Sequence, residues 1–423
     1  MNPRASFSLS KARANWHPRT HAIYDFTTDS GWESCTFVAR PLSTKWAGSF
    51  QSVLAISPSR LIVGSGRYIY SYSFGVPKKP SDSPPIYFEG QVSLQDRLGC
   101  SQNITALTFI HDNGSDCSID VGFQDGSIER VYLSAQTSAL QNGLSIKRCK
   151  LQSMPRNDFV ESLCFQSETI LALSSNGSAR LSSLSGDTSS IIELKRRSWT
   201  SYLSLASCTP YAAFGTYSST PLTIHPILDG GHLSSQPSAI LHTSKSSVSD
   251  LIPCDQLGVS AVYGLSQAPL NSPWGSSPQI LVSGWYDGQV RIYDLRSPSS
   301  LSVRQSLSSS PDPAVRVTIP VHRPVMSLVD RWCYEPVYAV AAGGGSAAHV
   351  AAGTARHSVV SFWDVRQPIT GWSVHAPGND PSPVYSVILE SSRFFGVTQS
   401  RPFVYDFVIP STLAFSTDSD NLS

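Results

Sequence analysis

The side chains of this 423-residue sequence best suited to hold a ligand are basic and aromatic: Arg67, Arg156, Arg196, Arg197, Lys245, Arg323, Arg356, His357 and Arg401, with Trp285 and Tyr286. Arginine's planar fork pairs with two oxygens of a phosphate or carboxylate at once, and a Trp–Tyr pair supplies aromatic anchors. The chemistry to expect is recognition of an acidic or phosphorylated segment. The plainer reading of the same residues is a set of solvated loop charges, some paired with neighbouring acids. Bond-making chemistry has no such footing. There is no GxSxG elbow, phosphate loop, HExxH or dinucleotide glycine fingerprint. The ten histidines are dispersed, and His225 reads as a substitute for a core aromatic rather than as a base. Cysteines 35, 100, 117, 149, 164, 208, 254 and 333 show no CxxC and no Cys/His pairing at zinc spacing. We therefore expect no enzyme, no metal and no cofactor.

Composition narrows the partners. Lys plus Arg number 31 and Asp plus Glu 30, so the whole molecule carries no field that would draw it to nucleic acid or to a membrane surface. No apolar run approaches the roughly 18 residues that span a bilayer. Scattered single cysteines fit a reducing compartment, cytoplasm or nucleus. Residues 1–24 carry Arg4, Lys11, Arg13 and Arg19 and no acid, as a mitochondrial presequence does, but Pro18 and the lack of an apolar stripe argue against one.

The elements that must position these side chains are read from Ile280 to Ser297. An apolar strand ends at Trp285, Asp287-Gly288 supplies a tight hairpin turn, and Val290 and Ile292 alternate along a second strand. A shorter pattern recurs as Val53-Leu-Ala-Ile56, Ile104-Thr-Ala-Leu107, Val160-Glu-Ser-Leu163, Tyr202-Leu-Ser-Leu205, Val248-Ser-Asp-Leu251, Val325-Met-Ser-Leu328 and Val384-Tyr-Ser-Val387. Its third residue is always Ala, Ser or Asp, which suits inner strands converging on a narrow channel. A glycine-bearing strand follows most of them (Gly64, Gly122, Gly215, Gly284, Gly353, Gly396), implying close approach of a neighbouring backbone. Further on stands an aromatic (Tyr72, Tyr132, Tyr293, Trp363, Tyr405), placed to pack flat against the next unit. Pro/Ser/Gly-rich insertions at 77–85, 134–150, 266–278, 297–314 and 341–353 read as surface loops.

In this order the features resemble the WD-repeat family, and the resemblance implies an all-β, seven-bladed β-propeller closed by an N-terminal strand. Residues 1–32 are expected to be a flexible or peripherally packed leader, 33–409 the propeller, and 410–423 a disordered tail. The resemblance puts the basic and aromatic residues named first on one face, at the hairpins after the second strands and the segments before the inner ones. It also gives Asp287 a structural part in its turn. Tyr293-Asp-Leu-Arg296 and Trp363-Asp-Val-Arg366 match the blade ending whose arginine, in members that serve cullin-4 ligases, docks the adaptor; the alternative is pairing of Arg296 and Arg366 with acids at the rim. Ala14-Asn15-Trp16 and the stretch Trp372 to Ser386 are similar to F-box/WD-repeat substrate receptors, although the helical F-box is not in this sequence. The expected function is a non-catalytic scaffold, a ligase substrate receptor holding an acidic or phosphorylated client. The alternative is a WD scaffold in another assembly, such as RNA processing or trafficking.

Overall fold

In the computed structural model the described residues are 17–408, apart from 47, 76–82, 95–102, 113, 136–143, 187–188, 243–250, 254–257, 271, 299–300, 307–315 and 379. Residues 1–16, with Ala14–Trp16, the tail 410–423, Lys245 and Val248–Asp250 thus lie outside the description, as does the side chain of Arg156.

Among the described residues, short and mostly antiparallel strands build five four-stranded sheets and one of twelve strands. The sheet of Val53–Ile56, Arg60–Ser65, Tyr68–Phe74 and Ile86–Ser93 is typical, each strand pairing with the one before it in sequence. The second strands of the sheets are buried almost throughout rather than alternating, because neighbouring sheets cover them on both faces. Ile280–Trp285 shows this: all six residues are buried. The apolar clusters accordingly lie between sheets. One joins Ile62 and Ile69 to Val121 and Val131, and another joins Leu61 and Tyr72 to Phe395 and Val404.

The innermost strands stand side by side in a circle. Val53–Ile56 neighbours Ile104–Phe109, then Val160–Gln166, Ser198–Ser204, Ser260–Gln267, Val337–Gly343 and Val384–Glu390, and the last returns to the first. This is a β-propeller. Val38–Pro41 pairs with Pro402–Asp406 in the same sheet as Val384–Glu390. The strand glycines act as notches. A Cβ on Gly122 would come within 2.5 Å of Val160, one on Gly284 within 2.5 Å of Val337, and one on Gly353 within 2.8 Å of Val384.

Two inner strands differ from expectation. Met326–Val329 pairs with Gln289–Asp294 as an outer strand, and Leu251–Pro253 lies parallel to Leu301–Ser306. The inner places belong to Ser260–Gln267 and Val337–Gly343, whose Val262 and Val337 fill the notches at Gly215 and Gly284. Steric fit to the preceding sheet, not the local pattern, selects the strand. The twelve-stranded sheet arises where Tyr217 and Ser218 bridge to Ala261 and Ser260. It is widened by a hairpin, Leu301–Ser306 with Arg316–His322, lying parallel to Ala239–Leu241. Three of the expected loops hold strands instead: Leu144–Ser153 overlaps 134–150, Leu301–Ser306 lies within 297–314, and Val337–Gly343 with His349–Thr354 spans the Gly/Ala run.

Of the flat side chains, Tyr72, Tyr293, Trp363 and Tyr405 are buried in the positions expected. Tyr132 is not: it is 39% exposed, and Val131, opposite Ile119, takes the equivalent place. His225 fills it in its own sheet, edge-on to Phe214 with centroids 5.3 Å apart. Burial lowers its pKa to about 4, so the ring is a neutral core element.

A helix, Pro18–Glu33, begins with proline at its first position and ends where the Ser34 N–H donates to Ser30 O. Its buried residues, Tyr24, Thr28 and Trp32, recur every fourth position and so form one stripe. Trp32 stacks on Phe407 with centroids 3.6 Å apart and on His349 at 4.7 Å.

Candidate functional site at the channel mouth

Strand direction gives the ring two ends. Inner strands start, and second-to-third-strand turns lie, at one end, called the mouth here. The helix packs at the other, where Tyr24 Oη meets Ser391 Oγ at 3.0 Å and Asp29 accepts from the Ser346 N–H at 3.0 Å.

At the mouth the inner strands share an irregularity. In six of them the register skips a residue as the strand begins, leaving Thr105, Glu161, Trp199, Tyr263, Tyr338 and Tyr385 unpaired. Such a bulge re-aims the side chain. All six residues line one cavity of 480 Å³. Four are aromatic and form an arc, Trp199 to Tyr263 at 5.0 Å, Tyr263 to Tyr338 at 5.0 Å and Tyr338 to Tyr385 at 6.3 Å. Tyr286 extends it outward, 6.4 Å from Tyr263.

Glu161 stands at the end of the arc, on the inner strand next to that of Trp199. Its side chain is 3% exposed, and the Arg197 guanidinium lies 3.0 Å from its Oε2. Arg197 also stacks 4.0 Å above the Trp199 ring and 5.4 Å from that of Phe159. Burial raises the Glu161 pKa to about 7; Arg197 opposes the rise and the nearby Asp158 adds to it. Among the described residues no group of three or more His, Cys, Asp or Glu could hold a metal ion.

The side chains expected to bind a partner are distributed differently from the expectation. Trp285 is fully buried, the last residue of a strand covered on both faces, with the Arg291 guanidinium 4.8 Å from its ring. Arg323 lies at the helix end, because the strand it precedes runs outward from Met326, opposite Ile292. Tyr286 is 58% exposed at the mouth. Arg67 donates to Tyr68 Oη at 3.1 Å, Arg196 to Thr220 Oγ1 at 2.7 Å and Arg401 to Gly378 O at 3.3 Å. The Arg356 N–H and the His357 ring both meet the Glu335 carboxylate. Asp287 serves its turn, holding Arg291 at 2.5 Å.

The two blade-ending arginines pair with acids. Arg296 meets Asp294 at 2.8 Å. Arg366 meets Asp364 at 2.5 Å, Asp29 at 3.1 Å and Glu33 at 3.6 Å, which fastens the helix to the ring. Missing from the expectation were the bulge residues, although a signal existed: Val262-Tyr-Gly-Leu265 and Val337-Tyr-Ala-Val340 repeat Val384-Tyr-Ser-Val387.

No family model and no curated protein matches the sequence. Solved structures do match in shape. The WD40 β-propeller domain of Doa1 aligns at TM-score 0.54 and 10% identity, over 89% of this chain and 98% of that one. Chaetomium thermophilum Sqt1, solved bound to the N-terminus of ribosomal protein L10, aligns at TM-score 0.51 and 14% identity, over 84% and 83%. The fold of this chain is that of a WD40 β-propeller.

Proposed function

We propose that the chain is a non-catalytic protein-binding scaffold, a seven-bladed ring closed by Val38–Pro41, which holds a partner polypeptide at the channel mouth. The blade count takes the twelve-stranded sheet as two blades joined by their short bridge and follows the circle of inner strands. The aromatic arc carries the binding reading. Four rings facing one cavity, with Tyr286, Tyr334 and Trp332 exposed by 58, 73 and 87% on the same end, exceed what folding alone requires. Sqt1 bound to a ribosomal protein's N-terminus is a precedent for a peptide on this fold.

The test is affinity purification with the full chain and with a Tyr286→Ala/Trp332→Ala/Tyr334→Ala variant. The expected result is loss of reproducible partners with an unchanged thermal melt; their retention would remove the mouth from the proposal. An acidic or phosphorylated client held by Arg67, Arg356 and Arg401 is the narrower reading, and the triple alanine variant of those residues tests it. A ligase-receptor role requires a cullin adaptor among the purified partners, sensitive to Arg296→Ala. Among the described residues no helix is long and apolar enough to cross a membrane, and cytoplasm or nucleus belongs to the same proposal.

A further inference from the structure

We propose that the channel mouth takes a cationic side chain, lysine or arginine, from an extended segment of a partner polypeptide, with Glu161 as its counter-charge and the aromatic arc as its wall. The inference rests on the scaffold reading and fixes the sign of the ligand opposite to that expected from the surface arginines.

Three observations carry it. The faces of Trp and Tyr rings attract cations, most strongly where water is excluded, and the arc of Trp199, Tyr263, Tyr338 and Tyr385 offers such faces around half the mouth. Glu161 is the one charged residue among the described residues lining the cavity. Finally, the chain supplies its own example: the Arg197 guanidinium sits between Trp199 at 4.0 Å and Glu161 at 3.0 Å. That approach balances charge, but no hydrogen bond is aligned on the buried Oε2. The carboxylate retains capacity to accept one. At 480 Å³ the cavity falls within the roughly 300–1,000 Å³ of pockets that enclose small ligands.

The charge balance gives binding a pH dependence. Glu161 faces Arg197, Asp158 and Gln51, and burial sets its pKa at about 7. An incoming cation favours the ionised form, so binding at pH 6 must first release a proton. Between pH 6 and pH 8 affinity should rise about tenfold, as expected for one such proton.

The experiment uses the full chain, immobilised, and peptide pools with random flanks around a fixed central Arg, Lys, citrulline, norleucine, Glu or phosphoserine. Arg and Lys pools should be retained about tenfold over citrulline and norleucine, the scale of a hydrogen-bonded charge, and more at pH 8 than at pH 6. Glu161→Gln, which preserves shape, should abolish the preference, and Arg197→Ala should increase retention severalfold by removing the internal competitor. Equal retention of cationic and neutral pools, or a preference that survives Glu161→Gln in folded protein, would overturn the inference. Retention of the phosphoserine or Glu pool, lost in Arg67→Ala/Arg356→Ala/Arg401→Ala, would overturn it while leaving the scaffold reading intact. If no pool is retained at all, the inference falls, and the affinity purification above then decides the scaffold reading separately.

Discussion

The two ends of the ring use the same inventory (an aromatic, a carboxylate and an arginine) to opposite effect. At the helix end Trp32 is enclosed between Phe407 and His349, and Asp29 gathers His349, Ser346 and Arg366. Burial alone would raise the Asp29 pKa, but hydrogen bonds from His349 and Ser346 outweigh it and bring the group to about 2. At the mouth Trp199 forms part of an open wall, and Glu161, deeply buried with fewer donors, is driven to about 7. A charge whose bonds are completed within the chain stabilises the fold. One left incomplete costs stability and is available to a partner.

The largest expected effect breaks the comparison at its aromatics. Trp32→Ala should cost about 3–5 kcal/mol, as large-to-small changes in a packed core do, read as a lowered denaturation midpoint. Trp199→Ala should barely move that midpoint yet remove partner binding. If the two variants melt alike, the contrast between the ends fails.

The carboxylates come next. Asp29 is depressed in the fold, so its contribution is present above about pH 4 and lost as pH falls through about 2. Asp29→Asn should therefore cost about 2 kcal/mol at pH 7 and nothing near pH 2. Glu161 is raised, so the fold is favoured below its unfolded pKa, and that advantage is lost as pH rises through about 7. Glu161→Gln should accordingly be more stable than the parent by about 3 kcal/mol at pH 8 and level with it near pH 4. Urea titrations at the two pH values check both signs.

The smallest effect compares two arginines at the helix end. Arg366 reaches Asp29 and Glu33 on the helix, whereas Arg296 meets only Asp294 in its own turn among the ion pairs described. Arg366→Ala should cost less than about 1 kcal/mol, given its exposure, and loosen amide protection across residues 18–33 in hydrogen exchange. Arg296→Ala should leave that protection unchanged.

Much of the ring was legible because its rules are local. Ile280 to Asp294 announces strand, turn and strand by residue type, and Gly284 and Gly353 mark close approach without reference to anything distant. What escaped depends on partners far along the chain. Val325-Met-Ser-Leu328 satisfies the inner-strand pattern as well as Val337-Tyr-Ala-Val340 does, and only the notch at Gly284 separates them. The same holds for the site. Trp285 looks like a turn residue until the neighbouring sheet covers it, and Glu161 gains its surroundings only when its bulge comes beside Arg197 and Trp199 of the next sheet. Arginines were counted as a surface charge, yet the partner of Arg197 stands in the preceding sheet.

Val38–Pro41 is made among the first strands and lies along Pro402–Asp406, the last described strand. During synthesis it must therefore wait, bare-edged, for almost the entire chain to emerge. A product shortened by its first forty or so residues would offer the free edge of Pro402–Asp406 to whichever extended segment arrives, including residues 38–41 of an intact neighbour. Donation of that kind links two copies through a pairing already present in one. The pairing of Val38–Pro41 with Pro402–Asp406 inside one molecule is thus also the one by which two would become entangled.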